Sequence, residues 1–280
     1  EILDLQEYQK MFLPLKENSI AIFHFQNKYG EQVCLENTIS NLKESNIKSI
    51  VVMDPLACTL YEPPGSYGAD IVVGSTQRFG LPMWNGGPHA AFFAAKKEYI
   101  RYMPGRLVGK SIDSEGNKGY RLALQSREQH IKKDRALSNI CTSQALLANY
   151  NVLYAMYLGP NNLREKAISI NKKTTLLKNI LNDLSNKGTF EVINKSYFDT
   201  LTIQIKQKSR LFNELQFLNQ GYLIKYEENS NQITISLDET KELQDIKCLL
   251  ENVFYTISPS YKELEEEYYS IRYIPKTRVF

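Results

Sequence analysis

Two short polar stretches contain the residue types that could bind a ligand or take part in chemistry. The first is Thr-Gln-Arg-Phe, which contains Gln77 and Arg78, and the second is Gly-Gly-Pro-His, which contains Gly86, Gly87 and His89. A glycine pair allows close approach of the backbone, and its N–H groups can hold an anion, to which a histidine can also donate. Taken alone, the pair is simply a tight turn and His89 a structural histidine.

A carboxylate is the third candidate. Asp54 ends an apolar run and precedes Pro55, so it either caps a turn or faces a ligand. The amide of Gln77 is not basic, and the guanidinium of Arg78 stays protonated and is not a nucleophile. The polar turn at Gln77 and Arg78 is therefore suited to binding, or it is a surface turn.

The four cysteines indicate neither a zinc site nor a disulfide framework, because none share a Cys-x-x-Cys spacing and they lie far apart: Cys34, Cys58, Cys141 and Cys248. We expect a reducing compartment and no metal. Cys141 stands at a predicted helix start, where it is a small packing residue or a thiol with a lowered pKa. His24 lies in an apolar run and is predicted to be core, whereas His130 is predicted to be solvated.

Composition excludes several classes of function. The 280 residues carry a formal net charge of +3, and the longest basic cluster, Arg127 to Arg135, is interrupted by acidic residues. A nucleic-acid-binding stripe would be denser. No run reaches the length of a transmembrane helix and no signal peptide is visible. The length favours two domains, and the start Glu-Ile-Leu suggests a fragment of a longer polypeptide.

The order of apolar runs predicts the sheet that positions these residues. Strand, helix and strand over residues 18–57 form a βαβ unit with parallel strands, and its helix should bury Leu35, Ile39 and Leu42. A third strand follows over residues 69–74, and a fourth opens the segment 89–99.

Asp54 follows the second strand, and residues 75–78 follow the third. The carboxyl ends of parallel strands meet at one edge of a sheet, where ligands collect. We therefore expect Asp54, Gln77 and Arg78 to lie at the same edge.

Beyond this sheet the sequence predicts a long glycine-rich and charged loop over 105–142, with a hairpin around 114–118. A helix capped by Ser138 or Asn139 follows. It is apolar almost all round, which predicts deep burial, and Gly159-Pro160 ends it.

From residue 161 onwards, helices alternate with strands, including a helix within 209–220, which predicts a small α+β domain over 161–255. The predicted organisation is thus a large α/β domain over 1–160, this small domain, and an arm or linker without clear periodicity over 256–280.

The segments 63–109 and 122–160 carry a specific family resemblance. Many unusual dipeptides occur in them in the same order as in the P-protein family of the glycine cleavage system, which they therefore resemble. More narrowly, they resemble the N-terminal half of that protein, which in some bacteria is a separate subunit. The strong match covers 51–160. The resemblance implies a fold type I pyridoxal-phosphate (PLP) transferase fold. Trp84-Asn85 departs from the Gly-Tyr of many members.

The resemblance implies a function for the whole enzyme. Lysine-bound PLP takes up the electrons left when glycine is decarboxylated, and the aminomethyl group passes to the lipoyl arm of H-protein. The catalytic half carries His-Lys-Thr-Phe, so Thr-Gln-Arg-Phe places Gln77 at the lysine position. Asp54 matches the acidic residue that pairs with the pyridine nitrogen, which makes Asp54, Gln77 and Arg78 a relic site. Gly86, Gly87 and His89 would instead reach the cofactor phosphate of a partner.

Three hypotheses follow. The chain is a non-catalytic half of a PLP-dependent glycine decarboxylase, a cofactor-free regulatory or scaffold protein, or an independent PLP enzyme that uses Lys96 or Lys110, with Lys96 expected to face solvent. The resemblance implies a catalytic half or second subunit, lipoylated H-protein and glycine as partners, in a dimer or heterotetramer. It also implies a bacterial cytoplasmic or a mitochondrial location, without nucleic acid or membrane.

Overall fold

A computed structural model describes most of the chain, and all structural statements below concern the residues that it covers. These are 19–83, 85–87, 89–103, 105–124, 128–136, 145–185, 190–206, 225–227, 229–254 and 259–273.

A four-stranded sheet forms the first part of the fold. Its strands are β1 (Ile20–His24), β2 (Lys48–Val52), β3 (Ile71–Ser75) and β4 (Ala91–Ala95), in that spatial order. β1 pairs with β2 and β2 with β3 in parallel, and β4 runs antiparallel to β3. With helix α1 (Leu35–Glu44) between β1 and β2, the predicted βαβ unit is confirmed.

Helix α1 packs through the predicted apolar face. Leu35, Ile39 and Leu42 are 4%, 0% and 2% exposed, because positions i, i+4 and i+7 share one side of a helix. They join a core with Val51 and Met53, which belong to β2 and its continuation. This core fixes β2 and therefore the position of Asp54.

Strand β1 differs from the prediction. Ile20 and Ile22 are 61% and 67% exposed, and His24 is exposed too, whereas Phe23 points into the core. Alternate residues of a strand face opposite sides, and within the described residues nothing covers the outer side of β1. The prediction that His24 is a core residue was therefore wrong.

The segment after β4 contains the predicted hairpin. Strands β5 (Leu107–Ile112) and β6 (Lys118–Ala123) pair antiparallel, and Gly116 adopts a φ of 87° in the turn. A short helix α2 (Gln129–Lys132) follows. The predicted caps Ser138 and Asn139 lie outside the described residues.

Helix α3 (Ala145–Ser185) is two helices joined at a kink. Gly159 has a φ of 68° and a ψ of 174°, which are not helical, and Pro160 follows it. Glycine tolerates this backbone and proline cannot continue the preceding hydrogen bonds, so the predicted break is confirmed.

The first half of α3 is less buried than predicted. Apolar side chains on much of its surface are 54–88% exposed, whereas Leu147 and Asn151 are buried. The sequence of this helix is apolar on all sides, which predicted deep burial, but the other described residues pack against only one side of it. The exposed residues are Leu146, Tyr150, Val152, Leu153, Met156 and Tyr157.

A second, antiparallel sheet forms the predicted α+β part. Its strands are β7 (Phe190–Val192), β8 (Thr200–Ile205), β9 (Lys225–Glu227) and β10 (Gln232–Ser236), in the order β7-β8-β10-β9. The second half of α3 and helix α4 (Leu243–Val253) contribute to its apolar core. The helix predicted within 209–220 lies outside the described residues.

The C-terminal segment forms a helix where none was predicted. Helix α5 (Tyr261–Ser270) starts with a capping box, in which Ser260 and Glu263 each accept from the other's backbone N–H. Leu264 is fully buried in the core of the second sheet. The division of the chain at residues 160 and 255 stays a prediction.

No helix in the part of the chain that the structure describes is long and apolar enough to cross a membrane.

Candidate functional site

A cavity of about 310 Å³ opens at the carboxyl ends of the parallel strands β1, β2 and β3. Asp54, Gln77 and Arg78 all line it, as the sequence predicted from their positions after β2 and β3. The second sheet contributes Phe198 and Asp199 from the segment before β8. The remaining lining residues are His24, Phe25, Gln26, Val52, Met53, Ala57, Gly74 and Ser75.

The turn after β2 orients Asp54. Oδ1 of Asp54 accepts from the backbone N–H of Leu56 at 2.8 Å, and Oδ2 lies beside the guanidinium of Arg78. The carbonyl of Asp54 accepts from the N–H of Cys58 at 3.2 Å. Asp54 therefore caps a turn and also lines the cavity, so the two sequence interpretations hold together.

Strand β3 reaches the cavity because Gly74 permits a close approach to β2. A Cβ at Gly74 would lie 2.0 Å from the carbonyl oxygen of Met53, a distance that no side chain allows. Ser75 follows, and its Oγ accepts from the N–H of Gln77 at 3.2 Å. The strand thus ends in a turn that places Gln77 and Arg78 at the cavity rim.

Asn151 of helix α3 holds this turn from behind. Its Nδ2 donates to the carbonyls of Thr76 at 3.2 Å and Phe79 at 2.8 Å, and its Oδ1 accepts from Thr76 Oγ1 at 2.6 Å. Sequence reasoning missed Asn151. The signal was a polar amide within an otherwise apolar helix, where burial requires hydrogen-bond partners.

Arg78 connects two carboxylates that are far apart in sequence. Its Nη1 lies 3.2 Å from Oδ2 of Asp54, and its Nη2 donates to Oδ2 of Asp199 in a short ion pair. The ring of Phe198 lies 5.7 Å from the guanidinium carbon. Arg78 thereby ties the edge of the first sheet to the second.

Asp199 is held by further hydrogen bonds. Its Oδ1 accepts from Gln26 Nε2 at 2.6 Å and from Thr200 Oγ1 at 2.8 Å. Oε1 of the same Gln26 accepts from the backbone N–H of Phe198 at 3.1 Å. Asp199 and Gln26 were not identified from the sequence, because their contact spans 173 residues.

The surroundings raise the pKa values of both Asp54 and Arg78. Burial raises the pKa of Asp54 above its ordinary value, and the nearby charge of Arg78 opposes this rise without cancelling it. Burial disfavours the charge of Arg78, but Asp199 and then Asp54 outweigh burial and raise the pKa of the guanidinium. Arg78 is thus a permanent cation in a cavity with two acidic residues.

The family relationship follows from direct comparison. Residues 2–253 match the model of the family described as glycine cleavage system P-protein.

The chain belongs to the glycine cleavage system P-protein family.

Curated members of this family are longer than the chain. Glycine dehydrogenase (decarboxylating) from Pelagibacter ubique is 43% identical over 263 residues, which cover 94% of this chain and 27% of the relative. The putative mitochondrial enzyme from Schizosaccharomyces pombe is 45% identical over 222 residues, 78% of this chain and 21% of its own length. The chain therefore spans about a quarter of these relatives.

Solved structures agree on the fold. A glycine decarboxylase (P-protein) of the glycine cleavage system in inhibitor-bound form has a TM-score of 0.73 at 29% identity, covering 89% of this chain and 55% of the other. A cysteine desulfurase from Escherichia coli, at 11% identity and a TM-score of 0.60, covers 93% and 63%. The fold is that of the fold type I PLP enzymes, as the sequence predicted.

The glycine loop of this P-protein family member lies outside the cavity lining. Gly86 and Gly87 have φ values of 95° and 135°, which glycine adopts readily, and His89 is exposed. Trp84 and Pro88 are outside the described residues. The contribution of Gly86, Gly87 and His89 to a partner's site stays a prediction.

Neither alternative lysine lines the cavity. Lys96 lies at the opposite end of the sheet, next to the start of β3. It donates to Oδ1 of Asp70 at 2.7 Å, and 38% of its side chain remains exposed to solvent. Lys110 is exposed on strand β5. No lysine among the described residues lines the cavity.

The described residues provide neither a disulfide nor a metal-binding cluster at the cavity. Cys34, Cys58 and Cys248 form no disulfide with one another, and Cys141 lies outside the described residues. The described residues contain no cluster of histidine, cysteine and acidic side chains that could hold a metal.

Proposed function

We propose that the chain is the lysine-less, non-catalytic part of a PLP-dependent glycine decarboxylase. The cavity lies where ligands bind in sheets of this kind, but Gln77 stands at the position that the family resemblance assigns to the cofactor lysine. An amide has no lone pair available to attack an aldehyde, and the guanidinium of Arg78 stays protonated. The residues present therefore do not fit covalently bound PLP.

In this proposal a catalytic half, on the same longer polypeptide or a second subunit, holds PLP and decarboxylates glycine. The aminomethyl group then passes to the lipoyl arm of H-protein. The present chain completes the assembly, as a dimer or heterotetramer, and presents Gly86, Gly87 and His89 to the partner's cofactor. The shared family and the naming of its relatives as glycine dehydrogenases support this assignment. The name of the Schizosaccharomyces pombe relative supports a mitochondrial location in a eukaryote, and a bacterial form would be cytoplasmic.

Reconstitution tests the proposal. Release of labelled carbon dioxide from carboxyl-labelled glycine is measured with this chain, with the catalytic half and with their mixture, each supplied with PLP and lipoylated H-protein. We expect no release by this chain alone and release by the mixture above that of the catalytic half alone. If the mixture releases no more than the catalytic half, a regulatory or scaffold role replaces the proposal. Release by this chain alone would contradict it directly.

A further inference from the structure

The three charged groups of the cavity are arranged around Arg78. Oδ2 of Asp54 faces its Nη1 at 3.2 Å, and Oδ1 of Asp54 already accepts from Leu56. Both oxygens of the carboxylate that would face a pyridine nitrogen are thus engaged. For the pyridine nitrogen of PLP to pair with Asp54, the cofactor would first have to displace the guanidinium of Arg78.

The Asp54 contact is the weaker half of the arrangement. Nη1 lies at ion-pair distance, but it makes no aligned hydrogen bond, and it is buried. The Asp199 contact is a direct hydrogen bond to a carboxylate that is 8% exposed. Asp199 therefore fixes the guanidinium, and the guanidinium in turn covers Asp54.

Displacing Arg78 would also disturb the second sheet. Asp199 would lose its cation while remaining buried, and a buried charge left unpaired is strongly unfavourable. The ring of Phe198 would lose its contact with the guanidinium. A ligand that enters next to Asp54 must outweigh both losses.

We propose that the guanidinium of Arg78, held by Asp199, fills the space next to Asp54 that the pyridine ring of PLP would need. The cavity would then exclude PLP independently of the missing lysine. This inference rests on the proposed non-catalytic role and adds to it. A lysine at position 77 alone would not restore the site. Removal of the guanidinium is required as well.

The test compares four forms of the purified chain: wild type, Gln77→Lys, Arg78→Thr and the double variant. Each is incubated with PLP, whose aldehyde condenses with a lysine amine with loss of water. Borohydride then reduces the resulting C=N bond to a stable secondary amine. Peptide mass mapping measures the labelled fraction at position 77 separately from labelling of surface lysines.

We expect about tenfold more label at position 77 in the double variant than in Gln77→Lys, since regaining one charge-assisted contact to Asp54 corresponds to at least that factor. A matched control combines Gln77→Lys with Arg121→Thr, which removes an exposed arginine from strand β6. This control should label as weakly as Gln77→Lys alone.

Loss of Arg78 leaves Asp199 without its cation, so the double variant is also made with Asp199→Asn, which removes the orphaned charge. Equal labelling of Gln77→Lys and the double variant would overturn the inference while leaving the proposed function intact. Absence of label in both forms of the double variant would overturn it too, because Arg78 would then not be the remaining barrier. A lysine of the wild-type chain labelled in stoichiometric amount would instead refute the proposed function.

Discussion

At the scale of single residues, the cavity balances one guanidinium against two carboxylates. Arg78 is about three-quarters buried and Asp199 almost completely so, whereas Asp54 keeps 29% of its side chain exposed. The deeper pair should therefore contribute more to stability than the shallower one, because solvent screens it less.

Replacement of Asp199 tests the importance of the deeper pair. Asp199→Asn keeps the shape of the side chain but removes the charge that Arg78 faces. We expect the free energy of unfolding to fall by about 1–3 kcal/mol, which is less than for a fully buried pair because Arg78 keeps part of its hydration. Chemical denaturation at neutral pH measures this change.

Glu191→Gln is the matched control. Glu191 pairs with Lys206 at 2.6 Å, but both side chains are about half exposed. This change should cost no more than about 0.5 kcal/mol, as surface pairs do. Equal losses for Asp199→Asn and Glu191→Gln would show that Asp199 behaves as an ordinary surface charge.

The sequence predicted part of this arrangement. Asp54, Gln77 and Arg78 could be placed together because each follows a strand of one parallel sheet. Asp199 could not, since it lies 121 residues from Arg78, in the segment that leads into the second sheet. Local patterns specify strands and their ends, whereas contacts between separate units depend on how those units pack.

At the scale of elements, the approach of β3 to β2 depends on Gly74. A Cβ there would meet the carbonyl oxygen of Met53 at 2.0 Å, so Gly74→Ala should force the strands apart. We expect a loss of about 1–3 kcal/mol, typical of overpacking. Thermal and chemical denaturation measure it.

Gly109→Ala provides the comparison within a strand. A Cβ at Gly109 would meet the Cβ of Ala123 at 3.5 Å, an ordinary contact, and its φ is not positive. The stability of this variant should stay within about 0.5 kcal/mol of wild type. A Gly74→Ala variant as stable as Gly109→Ala would contradict the close approach of β2 and β3.

Asn151 connects helix α3 to the turn that carries Gln77 and Arg78. Asn151→Leu removes three hydrogen bonds and leaves the carbonyls of Thr76 and Phe79 without this donor. Unfolding should become easier by about 1–3 kcal/mol. The same replacement at the exposed Asn149 should have little effect, and similar losses at both positions would argue against the role given to Asn151.

Asp70 clamps the opposite edge of the first sheet and makes stability depend on pH. Burial favours its neutral form, but hydrogen bonds from Lys96 at 2.7 Å and from the Ser49 N–H at 2.9 Å outweigh burial and lower its pKa. Because the pKa of Asp70 is lower in the folded state, its ionised form stabilises the fold at pH values above the ordinary carboxyl pKa. This contribution is lost as the pH falls through the lowered pKa.

Asp70→Asn should therefore be less stable than wild type at pH 7, by about 1.5–3 kcal/mol. The difference should shrink as the pH falls below about 4, where the wild-type carboxyl begins to take up its proton. Unfolding curves across this range measure it, with the nearby exposed Glu98→Gln as control. A stability difference that does not change with pH would show that the ionised carboxylate of Asp70 does not stabilise the fold.

The elements were predicted with uneven success, and the reason is physical. Helix α1 was placed correctly because its apolar face is narrow and leaves one way to pack. The first half of α3 was not, because it is apolar all round and the sequence does not say which sides are covered. Helix α5 was missed although Ser260 and Glu263 form a capping box that the sequence displays.

At the scale of the whole molecule, the core of the first sheet extends to the segment that leads into the second sheet. Phe198 follows β7 and precedes β8 of the second sheet, yet it packs in the core of the first. The chain covers 55% of the solved P-protein chain and about a quarter of its curated relatives. The exposed apolar side chains of β1 and α3 are suited to contact a partner in the assembly proposed above.

The decisive measurement is where PLP binds in the complex of this chain with the proposed catalytic half. The complex of this chain with the catalytic half is treated with PLP and borohydride, and the labelled lysine peptides are mapped by mass. We expect the stoichiometric label to lie entirely on the catalytic half, with no cavity peptide of this chain modified. A stoichiometric PLP–lysine peptide from this chain would contradict the proposed non-catalytic role.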